Sequence, residues 1–425
     1  MTTTAATPRT STPRQHWFPR ATAGPVTVSG TAVRTRTLQE TEALAEASLA
    51  RCGITRIADV TDLDVLGVPV FNSYRPDAAP GLNTVTSGKG VTVQAARVSA
   101  LMEAIERTWC EPVTAAPPLV CSYRELRRAE VPVLDPRRLI LRRGHTWTED
   151  APLAWWPVRE LRSDTEVLIP ALSLFVPHPP EHGMFRSNTI GLASGNSPQE
   201  ALLHGLLELV EHDCTAFGET LRRGSLIRLA SLPGEAFELI ERFQRAGIHV
   251  QLFSYSNAIG VPTVFATAED THSEDGLLIN GGAGCHPDPT VALMRALTEA
   301  AQSRLNIISG AREDLNGQAY RRHTSYDAMR EMLRSWSAGR PEMDFAELHS
   351  HAAPTVEGNL DQVLAGLQQA GLSLVFAAEL APSDLPFSVT KAIVPGIENY
   401  HNDKARLGTR LHREMVLVGM ARPLA

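Results

Sequence analysis

The sequence predicts an α/β chain of α+β-like type, with antiparallel strand pairs and long helices. Three observations lead there. Long stretches with apolar residues at helical spacing lie at 92–110, 198–217 and 289–308. Short β-branched runs lie between them, several too close in sequence for the crossover that parallel strands need. No composition break divides the chain, so a single elaborate catalytic domain is favoured over two or three smaller ones.

The elements follow in order. Residues 37–52 read as a helix, with Thr37 as N-cap, Glu40 three residues on, and Gly53 as the stop. Strands are expected at 54–60 and 68–72. Residues 81–90 carry glycines without apolar period and read as a loop before the helix at 92–110. Residues 167–175 read as a buried strand. A loop at 186–198 leads into the helix at 198–217, where Ser197 suits the cap and Pro198 the first turn. A helix at 234–246 and strands at 249–255 and 262–268 follow. Residues 277–279 enter a third glycine-rich loop, 281–284, before the helix at 289–308. Residues 309–355 are polar, and a helix at 358–370 and strands at 372–376 and 388–394 close the pattern.

Composition excludes several classes. A net charge of -7 argues against broad nucleic-acid binding, which needs a basic surface. The five cysteines are scattered and form no CxxC pair, so neither a zinc site nor a disulfide framework is indicated. No apolar run reaches the roughly 18 residues of a membrane span, and the N-terminal stretch lacks the apolar centre of a signal peptide. A cytoplasmic setting is expected. Residues 1–30, rich in Thr, Ala, Pro and Arg, are expected to be a disordered extension.

The chemistry lies in a pattern shared by three helices. It reads Ala100-Leu-Met-Glu103-Ala-Ile-Glu106-Arg107, then Gly205-Leu-Leu-Glu208-Leu-Val-Glu211-His212, then Ala296-Leu-Thr-Glu299-Ala-Ala-Gln302. Residues i and i+3 share a helix face, so each helix points two oxygen-bearing side chains one way. The residues between are mostly apolar, which implies helices packed on more than one side. A single such pair reads most simply as a surface salt-bridge element. Three of them, each after a glycine-bearing stretch, point to converging carboxylates, the donor set of Mg²⁺. Glu200 adds another carboxylate near the start of its helix. Ser87-Gly-Lys89-Gly90 puts a lysine between glycines before the first of these helices, a weak phosphate-loop signal without Walker spacing. Together the loops and glutamates describe a nucleoside triphosphate held with Mg²⁺. His204 and His286 are candidate proton-transfer groups. Cys214 and Cys285 read as packing residues rather than nucleophiles.

These segments resemble the YcaO family of ATP-dependent peptide-modifying enzymes. The resemblance rests on SGKGVTVQAARVSALMEAIER, SNTIGLASGNSPQEALLHGLLELVEHD and GGAGCHPDPTVALMRALTEAAQSR, with AIVPGIE in support. It implies a YcaO-type fold around a nucleotide and metal site, with ATP and Mg²⁺ as cofactors. It implies Glu103, Glu106, Glu208 and Glu211 as catalytic and, with Glu200, metal-binding residues. It implies Arg34, Thr41, Lys89, Ser99, Arg107, Asn196, Glu200, Arg295 and Gln302 as ATP contacts. Two departures stand out: His212 occupies a position where many members have arginine, and the chain ends Ala421-Arg-Pro-Leu-Ala425 rather than in a proline-rich PxPxP tail.

The resemblance further implies residues 31–410 as the catalytic domain and 411–425 as a C-terminal tail. The implied reaction is O-phosphorylation of a peptide backbone amide in a ribosomally made precursor peptide. The expected product is a thiazoline or a macrocyclic amidine. Thioamide formation with an external sulfur donor is the alternative. An inactive nucleotide-binding scaffold that presents a peptide, or a ligase or kinase acting on small molecules, would be readings of another class. A separate recognition or sulfur-transfer protein and a homo-oligomer are left open, while nucleic acid and membrane are not expected partners.

Overall fold

The computed structural model describes residues 27–29, 32–112, 118–178, 181–255, 257–311, 313 and 325–422. The extension expected at 1–30 therefore lies outside the described residues, except for a strand at Thr27–Ser29 that pairs with Ala32–Arg34. The final residues, including Pro423, also lie outside them.

The principal helices are α1 (Leu38–Ala47), α2 (Val93–Trp109), α3 (Tyr123–Arg128), α4 (Pro198–Leu221), α5 (Gly234–Arg245) and α6 (Pro289–Ile308). The predicted caps form. Thr37 and Glu40 make a reciprocal capping box at α1, and Ser197 Oγ accepts from Glu200 N at the start of α4. Helices at Tyr326–Ser337 and Thr409–Leu417 lie in regions where no helix was expected.

The strands form three larger sheets. A five-stranded sheet runs in the order Ile279–Cys285, Thr263–Asp270, Ile248–Tyr255, Ser225–Ile227, Glu342–Met343. A second sheet runs Leu119–Ser122, Pro152–Glu160, Phe376–Glu379, Ser388–Ile393, Leu192–Gly195, with Thr165–Pro170 beside Pro152–Glu160. A third joins Arg56–Asp59, Val70–Tyr74 and Val85–Lys89. Pairing is antiparallel as expected, apart from the parallel Ser225–Ile227 and Glu342–Met343. The strand Pro152–Glu160 was not foreseen, because two prolines interrupt its alternation.

The three glycine-bearing stretches read as loops contain strands instead: Val85–Lys89, Leu192–Gly195 and Ile279–Cys285. Each strand runs directly into a glutamate helix and packs against it. The glycines make that approach feasible. A Cβ at Gly88 would sit 1.9 Å from the backbone nitrogen of Ala100, and one at Gly284 would sit 2.0 Å from the carbonyl oxygen of Ala292. At Gly88 and Gly284 the lack of a side chain serves close helix–strand packing.

Helix α4 is buried on several sides, as its apolar sequence requires. Leu202, Leu206 and Val210 pack with Phe253 and Tyr255 from one sheet and with Ala377 and Ala392 from the other. A separate core sets Leu239 and Phe243 of α5 and Leu293 and Leu297 of α6 against Val250, Leu252 and Val264. The polar faces of α2, α4 and α6 are thus turned toward a common space.

Candidate active site

That space is a cavity of about 630 Å³. Glu103, Glu106, Glu208 and Glu211 line it, as do Arg34, Thr41, Lys89, Ser99, Arg107, Asn196, Glu200, Arg295 and Gln302. Residues from both ends of the sequence are therefore brought to one wall by α2, α4, α6 and the strand Ala32–Arg34.

Glu106 is 7% exposed and accepts from Ser194 N at 3.0 Å, which joins α2 to the strand before α4. Burial, then the charge of Glu103, pushes its carboxyl well above the ordinary value. Glu208 accepts from Gly191 N at 2.8 Å. Its side chain is 30% exposed into the cavity, yet it lies deep enough that burial raises its carboxyl to about 7. Burial, then Glu299, raises Glu211 to about 8. Three carboxylates from two helices thus share a space that holds them against their charge.

The other acids already have cationic partners. Glu103 Oε1 accepts from Arg107 Nε at 3.0 Å and Nη2 at 2.7 Å. Glu299 pairs with Lys89 across from α6 to the strand Val85–Lys89. Gln302 donates to the Ser87 carbonyl, which fixes the same strand.

Glu200 is 2% exposed and saturated with donors. Arg34 Nη1 lies at 3.2 Å, Thr35 N and Oγ1 each at 2.9 Å, and Asn196 N and Nδ2 each at 3.1 Å. Thr41 Oγ1 in turn donates to Asn196 Oδ1 at 3.1 Å. In this geometry Glu200 organises Arg34, Asn196 and Thr41 and offers no free oxygen to a metal.

The histidines separate. His204 lines the cavity beside Arg295, with its Nε2 3.2 Å from Arg295 Nη2, and burial followed by that guanidinium holds it neutral. His286 is not among the lining residues. It stands near Arg295, but its Nδ1 accepts from Asp288 N at 2.9 Å and closes the turn before α6, which gives it a structural part. Cys214 and Cys285 are buried in the core, where burial pushes the Cys214 thiol up to about 12.

Several lining or adjoining residues escaped the sequence reading. Arg36, Ser194, Glu219 and His401 line the cavity. Lys391 is 2% exposed, and its pKa falls to about 8 through burial despite the nearby Glu208 charge. A lysine inside an apolar strand was the one available signal for it. His401 had none.

The constellation agrees with a family pattern over most of the chain. The family described as YcaO cyclodehydratase, ATP- and Mg²⁺-binding, matches residues 87–398. The chain belongs to the YcaO family. Among relatives, an uncharacterised protein of Methanothermobacter thermautotrophicus is 37% identical over 375 residues, covering 85% of this chain and 94% of its own. One of Rhizobium leguminosarum bv. trifolii, from the tfuA 3′ region, is 32% identical over 357 residues, covering 81% and 84%.

Solved YcaO structures share the fold. YcaO from Methanopyrus kandleri, bound with AMPPCP and Mg²⁺, has a TM-score of 0.75 at 24% identity, covering 91% of this chain and 98% of its own. A heterocyclase in complex with substrate and cofactor has a TM-score of 0.78 at 22% identity over 94% of this chain. The present chain spans 58% of that heterocyclase. As a YcaO protein this chain is an enzyme of the ATP-dependent cyclodehydratase type, with ATP and Mg²⁺ as cofactors.

The residues present fit both cofactors. Hard oxygen donors suit Mg²⁺, which in nucleotide sites takes only one or two carboxylates together with phosphates. Glu106, Glu208 and Glu211 are carboxylates that burial disfavours as free anions and that a cation would relieve. Arg34, Lys89, Arg107 and Arg295 on the same walls suit phosphate oxygens. Among the described residues, no helix is long and apolar enough to cross a membrane.

Proposed function

We propose that this YcaO enzyme activates a backbone amide of a ribosomally made precursor peptide, leading to cyclodehydration to a thiazoline or a macrocyclic amidine. The observation that carries this reading is the meeting of Glu106, Glu208 and Glu211 in one cavity ringed by arginines and a lysine. Glu106, Glu208 and Glu211 would hold Mg²⁺, with Glu103 beside them. Arg34, Lys89, Arg107 and Arg295 would face the phosphates, and Thr41, Ser99, Asn196 and Gln302 would orient the nucleotide.

An amide oxygen is a poor leaving group, and bound Mg²⁺·ATP supplies the phosphoryl group that makes it a good one. The chain's own part is positioning and charge neutralisation. Ser194 N and Gly191 N fix two of the carboxylates from the backbone, so their oxygens are set before any ligand arrives. Lys89 and Arg107 each pair with one glutamate at the cavity wall and are held by it. At about 630 Å³ the cavity lies within the ~300–1,000 Å³ range of small-molecule sites, which suits a nucleotide.

A precursor peptide is the partner this reading calls for; a separate recognition protein is compatible with it, and a sulfur-transfer protein would belong to the thioamide alternative. A structural neighbour, the E. coli microcin synthetase McbBCD complex, has pro-MccB17 bound, which supports peptide binding on this fold. The test is phosphate release from ATP by the purified chain, with and without the peptide encoded beside its gene. Release triggered by that peptide, with product lighter by one water, supports the proposal. Release triggered by small metabolites alone contradicts it. A product in which sulfur replaces oxygen would redirect it to thioamide formation.

A further inference from the structure

The cavity follows one face of α4, from Glu200 through Glu208 to Thr215 and Glu219, along about five helical turns. The two ends of that face differ in charge. Arg34 pairs with Glu200 and Arg295 lies beside His204, while Lys89 and Arg107 pair with Glu299 and Glu103. Arg36, two residues after Arg34, donates to the Pro386 carbonyl at 2.9 Å. These are the cations of the cavity wall, and none of them bonds to the stretch 212–219.

Glu219 closes that stretch. Among the described residues, no hydrogen bond or ion pair holds its carboxylate. Lys404 and Arg340 act on it through charge alone, and both are engaged elsewhere. Arg340 donates to the carbonyls of Gly218, Arg223 and Trp336 and lies 5.3 Å over the Tyr255 ring. Lys404 lies 4.7 Å over the Tyr400 ring. Burial pushes the Glu219 carboxyl up to about 6, so above neutral pH it is an anion in a poorly solvated place.

The wall beside this carboxylate is aromatic. The Tyr255 ring packs so closely on α4 that a Cβ at Gly218 would meet it at 2.6 Å. Phe265 stacks on Tyr255 with ring centroids 5.7 Å apart and itself lines the cavity. An aromatic face next to an anion without a counter-charge is the complement of an organic cation. Its apolar stem lies on the ring and its charge meets the carboxylate. A phosphate would be repelled there, and Mg²⁺ would find a single carboxylate.

We propose that this end of the cavity is a subsite for a cationic group of the peptide, held by the Glu219 carboxylate with Phe265 along its stem. The group is a lysine or arginine side chain, or the terminal amine of the peptide. This rests on the amide-activation reading above, which puts the phosphates among the cations and leaves the other end to the peptide. Glu211 and Glu219 are about 12 Å apart along the helix, the span of three to four residues of an extended peptide. A basic residue about four positions from the modified amide therefore reaches Glu219. The subsite selects the peptide and sets which of its amides stands at the carboxylates.

The test uses the full chain and the synthetic peptide encoded beside its gene, labelled at its carboxyl end. Copies of the peptide have each lysine and arginine replaced in turn by methionine, and one copy is acetylated at its amino terminus. Affinity is read by fluorescence anisotropy with Mg²⁺·AMPPCP bound, and KM and kcat by phosphate release with ATP. One of these copies is expected to bind the wild-type chain about tenfold more weakly, as the loss of one charge-assisted contact implies. Which copy it is tells a side chain from the terminal amine. Glu219→Gln is expected to weaken the unaltered peptide by the same factor and to lose nothing further with that copy. The loss is expected in KM rather than kcat, with Mg²⁺·AMPPCP affinity at the wild-type value. Equal binding of every copy to the wild-type chain overturns the proposal, and that arm does not depend on how a variant folds. Additive losses from Glu219→Gln and the weakened copy also overturn it. So does a parallel loss of AMPPCP affinity, which would put Glu219 with the nucleotide. A peptide that binds with this coupling yet triggers no phosphate release would instead overturn the amide-activation reading and leave the subsite standing.

Discussion

Glu106 and Ser194 tie two of the three glutamate helices together: the backbone N–H of Ser194, on the strand leading into α4, donates to the Glu106 carboxylate of α2 at 3.0 Å. With Ser194 Oγ donating to the Met102 carbonyl at 3.2 Å, that bond ties the acids of α2 to those of α4, and the catalytic expectations follow from it.

Glu106→Gln and Glu208→Gln keep the size and hydrogen-bonding shape of each side chain while removing a charged oxygen. Each is expected to lower peptide-triggered ATP turnover at least about 10²-fold, because the Mg²⁺ that would neutralise the phosphoryl charge loses an anionic ligand. Thermal unfolding without Mg²⁺ should be unchanged or shifted upward, since a neutral group replaces a buried acid. Phosphate-release kinetics and a melting curve check both halves. Near-wild-type turnover in both variants would remove these residues from the metal site.

Stability should depend on pH in a defined direction. The carboxyls of Glu208 and Glu211 rise from 4.5 to about 7 and about 8 on folding. The folded chain therefore binds more protons than the unfolded one between those limits. Stability is fully present below about 4.5 and is lost as pH rises through 7 and 8. The melting temperature without metal is thus expected to fall from pH 6 to pH 8.5, and saturating Mg²⁺·AMPPCP to flatten that fall. A metal-free melting temperature that rises over this window would contradict the placement of the two acids.

Gly88→Ala tests the role given to the glycines. The added methyl would lie 1.9 Å from a backbone nitrogen of α2, which cannot move aside as a side-chain tip could. The expected cost approaches or exceeds about 3 kcal/mol, read as a loss in denaturant midpoint. A phosphate-cradling glycine would instead leave stability intact and lower only nucleotide affinity.

Asp213→Ala removes the anchor shared by Glu398 N, Arg410 and Asn257, the last at 2.6 Å. Asp213 is fully buried, so the change leaves Arg410 without its partner and is expected to cost about 3–5 kcal/mol. Chemical denaturation checks it.

Much of this arrangement was legible in the sequence, because helix caps and spaced glutamates are local signals. Thr92, Ser197 and Pro289 mark the starts of α2, α4 and α6, and the repeated glutamate spacing marks the three helices whose faces line the cavity. The glycine stretches misled, because a strand stripped of side chains for close packing looks like a loop. Lys391 had one weak signal, a lysine inside an apolar strand, and His401 had none. Both depend on long-range contacts: Lys391 is set opposite Leu192 by strand register and lies near Glu208, and His401, which lines the cavity, follows a segment whose Glu398 N donates to Asp213. Glu200 looked like a metal ligand in sequence. Its five donors, three of them from Arg34 and Thr35, come from contacts that no local pattern records.

The central claim is that the cavity carboxylates and cations turn a peptide amide oxygen into a phosphate leaving group. The most direct measurement follows that oxygen. A peptide carrying heavy oxygen at its backbone carbonyls is incubated with the chain, ATP and Mg²⁺, and the released phosphate is analysed by mass. The account predicts one labelled oxygen in phosphate for each amide modified. Unlabelled phosphate, released while the peptide keeps its oxygen or loses it to water, would contradict the account.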